Sequence, residues 1–208
     1  MKTNKYFDLL KKIIEHGHTE KGSKADLVAL YNESLSFSEE ELVDLFLSYK
    51  LPMQKLNDEL ELYMQGEINV VKYPEWWGYI GDKFKNSYPQ YFSKLPALIE
   101  KINSGKQSKN YILHLGSTLE ETNQKTCVSL IQFQIYNEKL YITVFQRSAD
   151  ANLGLPADLY QVYMISKYIK IPLENITFFY GNVHIYWNNM FETENMLDGD
   201  LYRFTLNV

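Results

Sequence analysis

The side chains most capable of covalent chemistry lie close together in the pattern of one predicted hairpin. Cys127 is the only cysteine among 208 residues, and Arg147 is one of two arginines beside 19 lysines. A guanidinium next to a thiol favours the thiolate, which is the nucleophilic form. Ser148 and Asp150 follow within three positions of Arg147 and add a hydroxyl and a carboxylate. These residue types indicate a nucleophilic site, and the alternative is that Cys127 is a small buried hydrophobic residue.

The register of this hairpin decides whether the thiol and the guanidinium share a face. If the turn between Tyr136 and Lys139 has an even number of residues, counting outward places Cys127 opposite Ser148. Strict alternation then puts Arg147 on the face opposite Cys127. Both side chains point into one pocket only if a β-bulge or the end of the strand interrupts the pleat.

Hydrophobic periodicity predicts the elements that position these groups. Residues 18–36 are left unassigned, and residues 72–90 are aromatic and irregular. Because helices lead and strands follow, the pattern predicts one α+β domain. The expected helices cover 3–17, 38–47 (capped by Ser36 or Ser38), 52–64, 95–104 and 156–170, and the expected strands cover 110–117, 128–136, 139–147, 175–181 and 200–207.

The strand predicted over 128–136 is apolar on both faces. A sheet of this kind must be covered on both sides, by helices or by the sheet of a partner. One face carries Val128, Leu130 and Tyr136, and the other carries Ile131, Phe133 and Ile135.

Composition excludes several classes of protein. A 45% hydrophobic chain is not mainly disordered, and a formal charge of −5 argues against a protein that grips a nucleic acid polymer. One cysteine excludes an intramolecular disulfide framework and a multi-thiolate metal site. The N-terminus lacks a secretory signal pattern, and no apolar run approaches the roughly 20 residues that span a bilayer. We therefore expect a cytoplasmic protein without a membrane segment.

The run over residues 146–156, Gln-Arg-Ser-Ala-Asp-Ala-Asn-Leu-Gly-Leu-Pro, resembles the signature of the thymidylate synthase and nucleotide hydroxymethylase family. The resemblance implies a single α+β domain over 1–208 with a shortened C-terminus. It also implies a mixed sheet flanked by helices and stacked back to back in a homodimer. The similarity spans about residues 55–190 in the family's order and includes 126–127, 132–133 and 181–186, with weaker matches at 58–60 and 65–69.

The resemblance implies covalent catalysis on a pyrimidine nucleotide. Cys127 matches the nucleophile that adds to C6 of the ring, after which C5 accepts a one-carbon unit from the co-substrate 5,10-methylenetetrahydrofolate. Arg147 matches the arginine that binds the 5′-phosphate and supports the thiolate, and Ser148 matches a phosphate contact. Glu59 matches the glutamate that orders water and handles protons near the base. Tyr79 is placed at the tyrosine that removes the C5 proton.

Further matches concern the folate and the sugar. Asp150 matches the aspartate near the pterin, and Trp76 and Trp77 match aromatic residues that line the folate site. His184 and Tyr186 match residues that hold the sugar hydroxyl. Taken alone, Trp76, Trp77 and Tyr186 would be packing residues, His184 a hydrogen-bonded core histidine and Glu59 a solvated helix residue.

One departure from the family bears on the base. Synthases that act on uracil have an asparagine two residues past the proline of the run, where this chain has Asp158. Uracil offers a donor at N3 and an acceptor at O4, whereas cytosine offers an acceptor at N3 and a donor at N4. A carboxyl with a shared proton can match cytosine, and a buried mismatch costs roughly 1–3 kcal/mol. Asp158 therefore resembles the cytidylate hydroxymethylase branch; the alternative is an aspartate that only caps its helix.

Two more departures concern the phosphate and the C-terminus. A pair of adjacent arginines that the family supplies across the dimer interface matches Lys109-Asn110 here. Lysine neutralises phosphate but lacks the planar fork of arginine. The sequence ends at Val208, without the tail that closes over folate in the synthases, and a more open site favours capture of the intermediate by water.

Three functional hypotheses stay open. The first is folate-dependent hydroxymethylation of a cytidylate, dCMP or CMP, at C5. The second is a divergent thymidylate synthase that methylates dUMP. The third is a catalytically silent family member that binds nucleotides or protein partners.

Overall fold

The computed structural model describes residues 4–22, 25–49, 51–65, 79–80, 83–84, 88–116 and 126–199. Trp76, Trp77 and the strand expected over 200–207 lie outside these ranges, and of Tyr79 only the backbone is described. Within them, helices pack against a mixed sheet, so the predicted α+β class is confirmed.

The five predicted helices begin and end close to the predicted positions, whereas the helices at Tyr88–Phe92 and Met190–Leu197 were not predicted. Ser38 starts α2 with a capping box, because its hydroxyl accepts the Glu41 N–H while the Glu41 carboxylate accepts the Ser38 N–H. In the described part of the chain, no helix is long and apolar enough to cross a membrane. The helices are α1 Lys5–His16, α2 Glu39–Ser48, α3 Met53–Gln65, α4 Tyr88–Phe92, α5 Leu95–Asn103, α6 Gly154–Lys167 and α7 Met190–Leu197, with a 3₁₀ turn at Trp187–Asn189.

The strands form one main sheet in the order β1-β2-β9-β7-β6-β5. The β7–β9 pair is parallel and the other pairs along this path are antiparallel, while the short β8 also runs parallel to β9. Strands β3 and β4 form a separate pair. The strands are β1 His18–Glu20, β2 Leu27–Ser38, β3 Tyr79–Ile80, β4 Lys83–Phe84, β5 Ile112–His114, β6 Val128–Tyr136, β7 Lys139–Gln146, β8 Ala149–Asp150 and β9 Leu173–Tyr186.

Two features of this order correct the sequence analysis. The unassigned region 18–36 contains β1 and most of β2, so strands do not simply follow helices along the chain. Strand β9 runs to Tyr186 rather than ending at 181, because Gly181 does not break it. A Cβ at Gly181 would lie 3.0 Å from the carbonyl oxygen of Arg147, so glycine allows the two segments to approach.

The core lies on the face of the sheet that α1, α2 and α6 cover. Complete burial of each large apolar side chain contributes roughly 1.5–3 kcal/mol. On the opposite face, Phe145 and Phe179 stack with ring centroids 5.1 Å apart, and each remains 42% exposed. The described residues thus leave these two aromatic side chains of the second face exposed. The sheet residues fully buried in the core include Phe133, Ile142, Val144, Ile176 and Phe178.

A β-bulge at Ser129 sets the direction of the thiol. Tyr136 pairs with Lys139 as predicted, but Val128 pairs with Gln146 while Leu130 pairs with Phe145, which leaves Ser129 as an extra residue. Cys127 consequently lies opposite Arg147, whose N–H donates to the Cys127 carbonyl at 2.9 Å, rather than opposite Ser148. This bulge is the interruption of the pleat that allows Cys127 and Arg147 to point into one pocket.

Candidate active site

The thiol and the guanidinium meet at the end of β6 and β7. Arg147 donates its Nε–H to the carbonyl oxygen of Thr126 at 3.0 Å, which orients the guanidinium. Its Nη2 then lies 4.0 Å from Sγ of Cys127. Cys127 is half-buried and Arg147 is exposed. A fixed cation at this distance favours a thiolate, so the geometry suits nucleophilic attack.

Tyr88 adds a hydroxyl to the nucleophile. Its oxygen accepts the backbone N–H groups of Cys127 and Val128 at 3.0 and 3.1 Å. Burial raises the pKa of Tyr88 well above its ordinary value, and negative charge at Asp158 and Cys127 raises it further. The phenol therefore keeps its proton unless the site changes. Tyr88 was not predicted as a site residue, because the sequence places it in the irregular aromatic segment 72–90, and the assignment of Tyr79 stays a prediction.

Next to these groups lies a cavity of about 350 Å³ between α3, α6 and β6, a size typical of small-molecule sites. Three carboxyl groups face an otherwise mostly apolar wall. The lining residues include Glu59, Tyr88, Val128, Asp150, Asp158 and Gln161. Predicted catalytic and folate residues thus share one space, whereas Cys127 and Arg147 lie beside it, joined to it through Tyr88.

Asp158 on α6 is the carboxyl whose protonation is most altered. Burial raises its pKa from 3.8 to about 6; the neighbouring Asp150 charge adds to the rise, and a hydrogen bond from Gln146 opposes it. Nε2 of Gln146 donates to Oδ2 of Asp158 at 2.7 Å. At pH values near 6 this group can both donate and accept a hydrogen bond, as pairing with a cytosine edge requires.

Glu59 on α3 is held at both carboxylate oxygens. The Tyr63 hydroxyl donates to Oε1 at 2.9 Å, and Nε2 of Gln161 donates to Oε2 at 2.6 Å. Glu59 is only 5% exposed, so these bonds offset much of the cost of burying a carboxylate. Gln161 was not predicted, because its partner lies 102 residues away in the sequence.

A braced loop presents Asp150 to the cavity. Oδ1 of Asp150 accepts the N–H groups of Asn152 and Leu153 at 3.0 and 3.3 Å. From the other side, the Tyr6 hydroxyl donates to the Ala151 carbonyl at 2.9 Å, and the Tyr49 hydroxyl donates to the Asn152 carbonyl at 2.5 Å. The first two helices therefore fix the backbone that carries the predicted folate contact.

His184 and Tyr186 lie at the end of β9 beside this loop, since Asp150 pairs with His184 in the sheet. Burial lowers the pKa of His184, which favours the neutral ring. Its Nδ1 lies 2.7 Å from Oδ1 of Asn182, and its Nε2 has no partner among the described residues. The neutral ring thus donates through Nδ1 and keeps Nε2 as an acceptor for a hydroxyl group.

The two remaining predicted contacts are less central. Ser148 is half-buried directly after Arg147. Lys109 is exposed before β5, and its carbonyl accepts Nε2 of Gln132 at 3.2 Å. Because Gln132 lies five residues after Cys127 in the sequence, the Lys109 backbone is roughly 15 Å from Cys127 of its own chain.

A thiol held beside a guanidinium, with buried carboxyl groups in an adjoining cavity, defines a class of enzyme that forms a covalent bond to a small ligand. Residues 4–206 match the sequence profile described as "Thymidylate synthase", and the chain belongs to that family. It is similar to a thymidylate synthase of Buchnera aphidicola subsp. Schizaphis graminum (strain Sg), with 22% identity over 210 residues, covering 89% of this chain and 80% of the relative. Family membership supports folate-dependent one-carbon transfer to C5 of a pyrimidine nucleotide.

Proposed function

We propose that this protein hydroxymethylates a cytidylate, dCMP or CMP, at C5 through a covalent bond between Cys127 and C6 of the base. The observation that carries this choice is Asp158, a cavity-facing carboxyl with a pKa of about 6 at the position where uracil-specific relatives have asparagine. A neutral carboxyl can donate to N3 of cytosine and accept from its amino group, which supports a cytosine base.

Different residues of the site carry out different steps of the proposed reaction. The Cys127 thiolate attacks C6, and the Arg147 guanidinium, 4.0 Å away, stabilises the negative charge before attack. Attack turns C5 into a carbon nucleophile. Tyr88 and Glu59 are the groups that exchange protons with the ring, since both line the cavity next to the thiol. Breaking the S–C6 bond at the end returns the free thiol.

The cavity walls fit a flat heterocycle with a polar edge. Val128, Ile131 and Val162 supply apolar surface, and Asp150 supplies an acceptor held in place by its own loop. The co-substrate 5,10-methylenetetrahydrofolate supplies the one-carbon unit when it is bound. Asp150, with Trp76 and Trp77, would contact it.

The sugar and phosphate contacts follow from the strand ends. Nε2 of His184 and the hydroxyl of Tyr186 bind the sugar hydroxyl, and Arg147 with Ser148 binds the 5′-phosphate. Because the Lys109 backbone is distant from Cys127 of its own chain, we assign its ammonium group to the phosphate site of a second copy of the chain. The exposed side chains of Phe145 and Phe179 support a homodimer in which that copy packs against this face of the sheet.

Release of tritium from C5 tests the proposed function. Incubation of C5-tritiated dCMP or CMP with methylenetetrahydrofolate should release tritium with the wild type and not with Cys127→Ala. The control variant should still bind the nucleotide. No release from either cytosine nucleotide would contradict the proposal.

The relative named above favours a second candidate, methylation of dUMP. This activity produces dihydrofolate, so an increase in its absorbance with dUMP, and none with dCMP, would support it. If both cytosine and uracil nucleotides bind without turnover, the protein is instead a silent member of the family.

A further inference from the structure

Gln146 on β7 makes a buried hydrogen bond that bears on how Asp158 recognises a base. The Gln146 side chain is only 3% exposed, and its Nε2 lies 2.7 Å from Oδ2 of Asp158. An amide N–H can only donate, so Oδ2 acts as an acceptor in this bond. Oε1 of Gln146 has no hydrogen-bond partner among the described residues, so no competing contact there favours a rotated amide.

A neutral carboxyl without such a neighbour does not discriminate between the bases. Its proton can sit on either oxygen, so the two oxygens form a donor–acceptor pair in either order. One order matches cytosine, with its N3 acceptor and N4 donor. The reverse order matches uracil, with its N3 donor and O4 acceptor. Discrimination therefore requires that the proton be confined to one oxygen.

We propose that Gln146 is a specificity-determining positioning residue: by donating to Oδ2 of Asp158 it confines the carboxyl proton to Oδ1. Oδ1–H then donates to N3 of cytosine, and the second lone pair of Oδ2 accepts from the N4 amino group. Uracil in the same pose meets a donor with its donor and an acceptor with its acceptor. This inference rests on the proposed preference for cytosine and explains how a group able to bind both bases accepts one.

Burial and the negative charge of Asp150 raise the pKa of Asp158, so its carboxyl carries a proton at pH values below about 6. Tyr180 pairs with Gln146 in the sheet, is 1% exposed and has a hydroxyl without a partner among the described residues. The groups whose charge or hydrogen bonding acts on this region are Tyr88 on α4, Tyr180 on β9, Asp150 on β8, Cys127 before β6, and Glu59 with Gln161 across the cavity.

The wild-type protein provides the first test. The dissociation constants of dCMP and dUMP are measured at about pH 5.5 and about pH 8, and their ratio is compared, because titration of the 5′-phosphate affects both nucleotides alike. A confined proton predicts that the preference for dCMP increases about tenfold or more at the lower pH, where Asp158 is neutral. If both nucleotides tighten equally, the proton is mobile and the inference is overturned.

A variant provides the second test. Gln146→Met keeps the side-chain length and removes the donor, so the preference for dCMP at about pH 6 should fall to within about threefold of unity. The pH above which dCMP binding weakens should also rise, because the lost bond had lowered the pKa of Asp158. A role in packing alone would not produce this shift.

Gln54→Met is the matched control. Gln54 also donates to an aspartate, Asp58, at 2.8 Å, but on the exposed surface of α3. This variant should keep both the preference and its pH dependence. A folded Gln146→Met protein that still prefers dCMP as the wild type does would overturn the inference alone, whereas a wild type that prefers dUMP at every pH would overturn the proposed function. If Gln146→Met does not fold, the wild-type ratio decides.

Discussion

The Asp158 carboxyl, which we propose recognises the base, lowers the stability of the folded protein when it is charged. Its pKa is about 6 in the folded protein, compared with 3.8 for an ordinary aspartate. A carboxyl with a raised pKa contributes its full stability below the unfolded pKa, and this contribution is lost as pH rises through about 6. At neutral pH the charged form therefore lowers the free energy of unfolding by about 3 kcal/mol. Asp158 thus fits a role in binding the base rather than in stabilising the fold near neutral pH.

Replacing Asp158 removes this penalty. Asp158→Asn should raise the free energy of unfolding by about 3 kcal/mol near pH 8, because its amide oxygen still accepts from Gln146 and no charge is buried. The gain should fall to roughly half near pH 5, because the penalty is lost fully only below the unfolded pKa, and base preference should shift towards uracil. Urea denaturation at both pH values measures the effect. Asp58→Asn on exposed α3 serves as the control and should change stability little; an equal gain at both pH values would contradict the explanation.

Tyr88 is a proposed proton-transfer group that was not predicted from the sequence. Tyr88→Phe should reduce tritium release from C5-labelled dCMP by roughly 10²–10⁴-fold, the usual effect of losing a proton-transfer group. Nucleotide binding should change little, because the ring still packs against Phe92. Tyr111→Phe removes hydroxyl contacts to the end of α5 and the following loop, and serves as the control. Unchanged release in Tyr88→Phe would assign the proton transfer elsewhere.

Helices and strands were predicted correctly where nearby residues specify them, and they were missed where residues distant in the sequence decide the structure. The Ser38 capping box and the turn after Tyr136 lie within a few residues of the structure they specify, so the start of α2 and the hairpin register from Tyr136 to Leu130 were predicted correctly. Beyond Leu130 the bulge at Ser129 shifts the register, and the predicted pairing of Cys127 with Ser148 was wrong. Strand β2 was missed because it becomes mostly polar after Leu30 and holds Asn32 at a φ of 55°. Residues 27–30 are uniformly apolar, and polar and apolar residues alternate only over 34–38, beyond Asn32.

The candidate site shows the same division. Cys127, Arg147 and Asp158 were identified from one hairpin and one continuous run, because their chemistry is carried by local spacing. Tyr88 and Gln161 were not, since their contacts join residues 39 and 102 positions apart. Such contacts depend on how α3, α4 and α6 pack on the sheet, and no local pattern encodes that packing.

The close approach at Gly181 gives a prediction at this scale. In Gly181→Ala the new Cβ would lie 3.0 Å from the Arg147 carbonyl, so the strands must separate and the free energy of unfolding should fall by about 1–3 kcal/mol. Turnover should fall as well, because the same backbone carries Arg147. Gly154→Ala is the control for stability, since its Cβ meets only an ordinary contact at 3.7 Å. Equal stabilities of the two variants, measured by thermal unfolding, would contradict this explanation.

At the scale of the whole molecule, the described residues cover the two faces of the sheet differently. Helices cover one face, whereas Phe145 and Phe179 stack on a face that the described residues leave open. Exposed stacked aromatic side chains of this kind are typical of an interface with another protein. The proposed homodimer would bury them and would bring Lys109 of one copy towards the phosphate site of the other.

Sedimentation tests the proposed dimer. The wild type should sediment at twice the chain mass of 24.5 kDa, and Phe179→Glu should sediment as a monomer, because it would bury a carboxylate in the apolar interface. The monomer should also lose affinity for the nucleotide phosphate. Phe191→Glu is the control, since Phe191 is 71% exposed on α7 and lies outside the sheet. A wild type that is monomeric at all concentrations would contradict the proposed assembly.

The extra residue at Ser129 makes the length of a strand part of the catalytic machinery. Nine positions separate Cys127 from Tyr136, and this number determines whether the thiol points towards Arg147 or away from it. Deletion of a single residue between them would keep the identity of every site residue. It would still turn the Cys127 thiol away from Arg147. We therefore expect the activity of this chain to depend on that spacing, which a comparison of residue identities alone does not record.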